Sequence, residues 1–145
     1  MQVAVLNGPN LGLLGERETH IYGSVTLAEI EAMVRARAER EGVSIQWIQS
    51  NHEGDMVEAV HGFRQGVAGA IVNAAAYTHT SLALRDALLA VRVPFVEVHL
   101  SNVFEREARR RESVLADLAC GFIAGFGPQG YLLALDGLLA ALRDG

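Results

Sequence analysis

Short apolar runs alternate along the chain with longer amphipathic ones. Residues 3–6 are aliphatic until Asn7-Gly8-Pro9-Asn10 stops them, and a glycine-rich loop follows through Gly12, Gly15 and Gly23. Thr26 with Glu29 three residues on is a capping box. Behind it Leu27, Ile30, Val34 and Ala38 recur at helical spacing as far as Gly42. Val43, Ile45 and Trp47 alternate with Ser44 and Gln46, which predicts a strand over 43–48. Met56, Val57, Val60 and Phe63 make a second helical stripe. Residues 68–73 are continuously apolar apart from their last position, as expected of a strand covered on both faces. Ser81 can cap a third helix carrying Leu84, Leu88 and Val91, and Pro94 opens a strand through Phe95, Val96 and Val98. Residues 105–112 are a polar, helix-compatible segment, 118–126 a candidate strand, and 131–142 the closing helix.

Five strands alternating with helices predict an α/β fold, a three-layer sandwich around a five-stranded parallel sheet. The order of elements fits a flavodoxin-like sheet. With no linker, repeat or low-complexity stretch, residues 1–145 read as a single domain. Ligands of such sheets bind beyond the carboxyl ends of the strands. The polar residues just past each apolar run are therefore the candidates: Asn7, Asn10 and the loop to Tyr22; Ser50, Asn51 and His52; residues 73–81; and His99, Ser101 and Asn102. Four of the five histidines, His20, His52, His79 and His99, fall in these places, while His61 reads as an ordinary helix residue.

Composition narrows the chemistry. Half the residues are apolar and the net charge is -5, which suits a globular chain and argues against a partner made of nucleic acid. There is no lysine, and all twelve basic residues are arginine. Schiff-base chemistry, a P-loop lysine and a lysine base are excluded. The single cysteine, Cys120, excludes an internal disulfide and suits a reducing compartment. The first residues lack a basic segment of the kind that opens a targeting signal. The apolar stretch 114–135 holds Asp117, four glycines and Pro128, so it reads as a strand and a helix, with no membrane span. No metal-ligand spacing, G-x-G-x-x-G or Walker A motif is present.

Several constellations remain. His99 ends a buried run, where an imidazole can exchange protons near neutrality or simply bond to backbone. Glu97 stands two residues earlier. We read strand alternation as placing it on the opposite face, which leaves its pairing with His99 open. Residues 73–81 read Asn-Ala-Ala-Ala-Tyr-Thr-His-Thr-Ser, small residues that admit a ligand among polar ones that can hold it. Ser81 could suggest a hydrolase, but no Gly-x-Ser-x-Gly elbow surrounds it, and a helix cap accounts for it. In the loop 15–23, Arg17 precedes Tyr22 by five residues. A guanidinium beside a phenol favours the phenolate. The mixed run 105–112 reads as a solvated face from which one or two arginines could reach a carboxylate.

Taken together the segments resemble the type II 3-dehydroquinases along nearly the whole chain. The resemblance rests on Asn7-Gly8-Pro9-Asn10-Leu11, Arg17 with Ile21-Tyr22-Gly23, and Gln49-Ser50-Asn51-His52-Glu53-Gly54. It continues through Asn73-Ala74, Thr78-His79-Thr80-Ser81, Arg85-Asp86-Ala87, Glu97-Val98-His99-Leu100-Ser101-Asn102 and Gly130-Tyr131. Thr19 stands where many relatives carry proline.

The resemblance implies a cytoplasmic enzyme of the shikimate pathway, a homo-oligomer that is a dodecamer of trimers, with no cofactor and no metal. It implies dehydration of 3-dehydroquinate to 3-dehydroshikimate by anti elimination through an enolate. Tyr22, ionised beside Arg17, would be the base, Asn10 would hold the water that stabilises the enolate, and His99 would be the general acid. Asn73, His79 and Arg110 would contact the substrate's hydroxyls, and Leu100 and Ser101 its carboxylate. Asp86 would reach in from a neighbouring subunit. Arg109, Arg110 and Arg111 are adjacent, so the arginine assignment depends on register.

Overall fold

The computed structural model describes residues 1–16 and 19–145, with Tyr22 described by its backbone alone. The elements run β1 (Gln2–Asn7), α1 (Thr19–Tyr22), α2 (Leu27–Arg40), β2 (Ser44–Gln49) and α3 (Glu53–Gly62). They continue with β3 (Val67–Asn73), α4 (Leu82–Val91), β4 (Phe95–His99), β5 (Gly121–Ala124) and α5 (Gln129–Asp144). All strand pairs are parallel, in the order β2-β1-β3-β4-β5. That is the expected flavodoxin-like α/β sandwich, with the switch point between β1 and β3.

Period-two alternation divides the core. Val3, Val5, Ile45, Ile71, Val96 and Val98 face α2 and α5, where they meet Ile30, Val34, Leu135 and Leu138. Ala4, Leu6, Ala70, Val72 and Phe95 face the other way, onto Met56, Val60 and Phe63 from the α3 side and Leu84 and Leu88 from α4. Thr26 Oγ1 accepts from the Glu29 amide at 3.1 Å, the first half of the capping box, while the Glu29 carboxylate accepts from the Thr26 hydroxyl at 3.2 Å, and the buried stripe of α2 is Leu27, Ile30, Val34 and Ala38. Ser81 Oγ accepts from the Leu84 amide at 2.9 Å and is 1% exposed. It is a helix cap, a contact worth about 1 kcal/mol, which removes the hydrolase alternative's support.

Two expectations need correction. The strand expected over 118–126 is only Gly121–Ala124. Residues 115–119 close two turns before it, and Leu118 and Ala119 pack against the core on the α3 and α4 side instead of extending the ladder. Gly125, at φ +95, turns the chain away at its end. The segment 105–112 is no continuous helix. It belongs to a long β4–β5 connection holding two 3-10 turns, Val103–Glu105 and Ala108–Arg110. Arg85 of α4 ties this connection down, donating to the Val114 carbonyl at 2.8 Å and to both oxygens of Asp117. Arg85 holds the Asp117 carboxyl below its usual range.

The strand ends are brought very close. Asn7 is in register with Gln49 on one side and Asn73 on the other. The Gly8 amide donates to the Asn73 carbonyl at 2.8 Å. A Cβ on Gly8 would stand 2.4 Å from the Ala74 carbonyl oxygen, so only glycine fits there.

Candidate active site

A cavity of about 110 Å³ opens over the carboxyl ends of β1, β3 and β4. Asn10, Leu11 and Leu14 line it from the β1 loop, Asn73, Ala75 and His79 from the β3 loop, and His99, Leu100 and Ser101 from the end of β4. Arg106 and Arg110 close it from the β4–β5 connection.

His99 is 6% exposed and Glu97 is fully buried. His99 Nε2–H donates to Glu97 Oε2 at 2.5 Å. The other carboxylate oxygen accepts from Ser113 Oγ at 2.7 Å, and Ser113 in turn accepts from the Leu115 and Ala116 amides at 3.0 Å each. A buried carboxylate is costly unless it is paired and hydrogen-bonded, and here both its oxygens are satisfied. The expectation that Glu97 faces away is wrong. Side chains two apart in a strand share a face, so the spacing itself carried the signal. With Nε2 committed to Glu97, any proton that His99 exchanges with a ligand sits on Nδ1.

His79 Nδ1–H donates to the Glu112 carbonyl at 2.6 Å, since a carbonyl can only accept. That bond leaves His79 Nε2 available to a ligand in the cavity. Asn10 lies in the left-handed region at φ 68, and its amide donates to Asn51 Oδ1 at 3.0 Å. Gln49 Nε2 bonds to the same Asn51 oxygen and to the Gly8 carbonyl, both at 3.2 Å. The Gln49–Asn51 stretch thus holds the Asn10 turn, a role that sequence reasoning did not assign. Ala75 also has positive φ, +51, and its amide donates to Asn73 Oδ1 at 3.2 Å. Two non-glycine residues in an unfavourable backbone region flank the cavity, each held by an asparagine carboxamide.

Of the residues named from the sequence, Asn10, Asn73, His79, His99, Leu100, Ser101 and Arg110 converge on this cavity. Among the three adjacent arginines it is Arg110 that lines it. Arg110 also pairs with Glu107, while Arg111 Nε donates to the Arg106 carbonyl at 2.7 Å. Asp86 lies exposed on α4 and does not line the cavity of its own chain. Arg17 lies outside the described residues, as does the side chain of Tyr22. Arg106 was missed, because a mixed-charge run gives no sign of which arginine turns inward.

A parallel α/β sheet whose switch-point cavity holds a carboxylate-bound histidine and several amide and guanidinium donors defines a class: a site for a small polyoxygenated anion with acid–base chemistry at hand. Comparison with known proteins narrows it. The sequence profile of the family "Dehydroquinase class II" matches residues 1–139. A protein of Prochlorococcus marinus named 3-dehydroquinate dehydratase is 54% identical over 144 residues, covering 99% of this chain and 97% of its own. The crystal structure of a type II dehydroquinase from Butyrivibrio crossotus superposes with TM-score 0.94 at 40% identity, over 96% of this chain and 97% of that one. One from Propionibacterium acnes gives 0.91 at 38% identity, over 96% of each chain. The chain belongs to the class II dehydroquinase family.

Proposed function

We propose that this protein is a 3-dehydroquinate dehydratase of the shikimate pathway, a hydro-lyase working as a single catalytic domain over residues 1–145. The observation that carries the reading is the His99–Glu97 pair, buried at the end of β4 and opening on a cavity lined by Asn10, Asn73, His79 and Arg110. The substrate has a hydrogen at C2, next to its ketone, and a hydroxyl at C1, β to it. Tyr22 as phenolate, favoured by Arg17, takes the C2 proton, and the electron pair passes to the carbonyl oxygen as an enolate. A water held by Asn10 stabilises that charge. The enolate then re-forms the carbonyl and expels the C1 hydroxyl, which leaves as water with the proton from His99 Nδ1. The anti elimination yields the conjugated enone, 3-dehydroshikimate. With no lysine in the chain, an imine route is closed.

The binding roles follow the donors. Asn73 and Arg110 donate to substrate hydroxyls, and His79 Nε2 accepts from one. Leu100 and Ser101 hold the carboxylate just past the end of β4. Asp86, exposed on α4, reaches the site of a neighbouring subunit in a homo-oligomer, a dodecamer of trimers in the cytoplasm. The reaction needs neither cofactor nor metal.

The test follows the ultraviolet absorbance of the enone when protein and 3-dehydroquinate are mixed with a chelator present. Enone appears, His99→Gln lowers kcat by about 10²–10⁴-fold, and borohydride with substrate leaves activity intact. Absence of enone, or covalent trapping by borohydride, overturns the reading.

A further inference from the structure

A chain of hydrogen bonds runs beneath the cavity, and its direction can be read from both ends. At one end the Ile48 carbonyl of β2 can only accept, so the Asn7 atom 3.0 Å from it is Nδ2. Asn7 Oδ1 therefore faces Tyr131, whose hydroxyl must donate to it, at 2.7 Å. With its one proton committed, the Tyr131 oxygen can only accept from Asn73, at 2.9 Å, so that atom is Asn73 Nδ2. At the other end the Ala75 amide can only donate, which places Asn73 Oδ1 against it. Two backbone groups at opposite ends give the same orientation. The chain links β2, β1, α5, β3 and the β3 loop. Its three side chains are almost fully buried: Asn7 and Tyr131 at 0% and Asn73 at 3% exposed.

We infer that Tyr131 is a positioning residue for the candidate site: through its hydroxyl it holds the Asn73 carboxamide so that Asn73 presents an N–H to a ligand oxygen. This rests on the reading of Asn73 as a substrate contact. Asn73 carries four hydrogen-bonding positions, two N–H groups and two lone pairs on oxygen. One N–H goes to Tyr131 and one lone pair receives the Ala75 amide. With Nδ2 fixed on one side and Oδ1 on the other, the carboxamide cannot turn over. A ligand oxygen met by its remaining N–H is selected as an acceptor, which a hydroxyl or carboxylate oxygen can be and an ammonium cannot. Burial keeps the Tyr131 phenol protonated, its pKa far above the ordinary value. The hydroxyl that the chain needs is therefore present throughout the neutral range.

Tyr131→Phe removes the acceptor from Asn73 and the donor from Asn7 while keeping the ring. The expected result is a rise in KM for 3-dehydroquinate of about tenfold with kcat changed less than about threefold, the pattern of lost uniform binding. Asn73→Ala raises KM by a similar factor. The double variant is no worse than Asn73→Ala alone, because interactions in one network do not add. A purely structural role moves thermal stability but leaves the KM effects multiplicative. An unchanged KM in folded Tyr131→Phe, or multiplicative KM effects, overturns the inference. If Tyr131→Phe does not fold, Asn7→Ala tests the same chain from its other side. It leaves the phenol without an acceptor, and KM rises although Asn7 does not line the cavity; an unchanged KM there overturns the inference equally. Wild-type turnover separates the two readings. A wild type that forms no enone removes both the reaction and this inference, whereas normal wild-type turnover with unaltered variant KM removes this inference alone.

Discussion

The cavity has two unlike sides. On the strand-end side, two polar groups are almost without solvent exposure: Asn73 in its amide chain, and His99 on Glu97. The opposite side is the β4–β5 connection. Its Arg110 side chain is 45% exposed and its Glu107 partner 60%. Buried polar groups must be matched atom for atom, because each unpaired one costs about 1–3 kcal/mol. Exposed charges tolerate mismatch, because water replaces a lost partner. The strand-end side therefore fixes geometry, and the arginine side supplies charge. Substitutions on the two sides should differ in kind.

Glu97→Ala should have the largest effect. It strips the buried His99 and the half-buried Ser113 of their shared partner, so stability falls by about 3 kcal/mol and kcat by about 10²-fold or more. Chemical denaturation and initial rates measure both, and a loss of activity without loss of stability would erase the contrast. Arg110→Ala should come next and be one-sided. KM rises about tenfold, or about 1.4 kcal/mol in binding, while unfolding free energy stays within about 0.5 kcal/mol. A comparable stability loss would place Arg110 among the structural groups. The smallest effect appears in base. The raised Tyr131 pKa means the folded state keeps a proton that the unfolded chain releases from about pH 10 upward. Its contribution is complete below that pH and is lost above it, by up to about 1.4 kcal/mol per pH unit. Tyr131→Phe should flatten the alkaline decline of stability by one proton. With no lysine titrating in that range, the difference is readable against few other groups.

The same contrast explains what the sequence disclosed. Strands and helices of the strand-end side follow from periodicity, caps and glycine stops, as with Thr26, Ser81 and Gly42. So does the convergence of Asn10, Asn73 and His99, since each lies at or just past the end of a strand. The Glu97–His99 pair was equally available from the spacing of two, and the misjudged alternation hid it. The β4–β5 connection was opaque for a physical reason. Its 3-10 turns have no apolar period, and which of four arginines faces inward depends on tethers such as Arg85 to Asp117 and Arg111 to the Arg106 carbonyl. Tyr131 was legible only as the start of the closing helix and as part of the Gly130-Tyr131 block, with nothing to mark its hydroxyl as a structural link. Its partners Asn7 and Asn73 are 124 and 58 residues away along the chain, beyond the reach of any local pattern.

The contact of Gly8 with Ala74 sets a boundary for redesign. The turns after β1 and β3 already touch backbone to backbone, so no choice of side chain can spread them to admit a bulkier molecule. Among the described residues, inhibitors with added substituents and variants selected for larger substrates would extend toward the arginine wall, where the side chains are exposed.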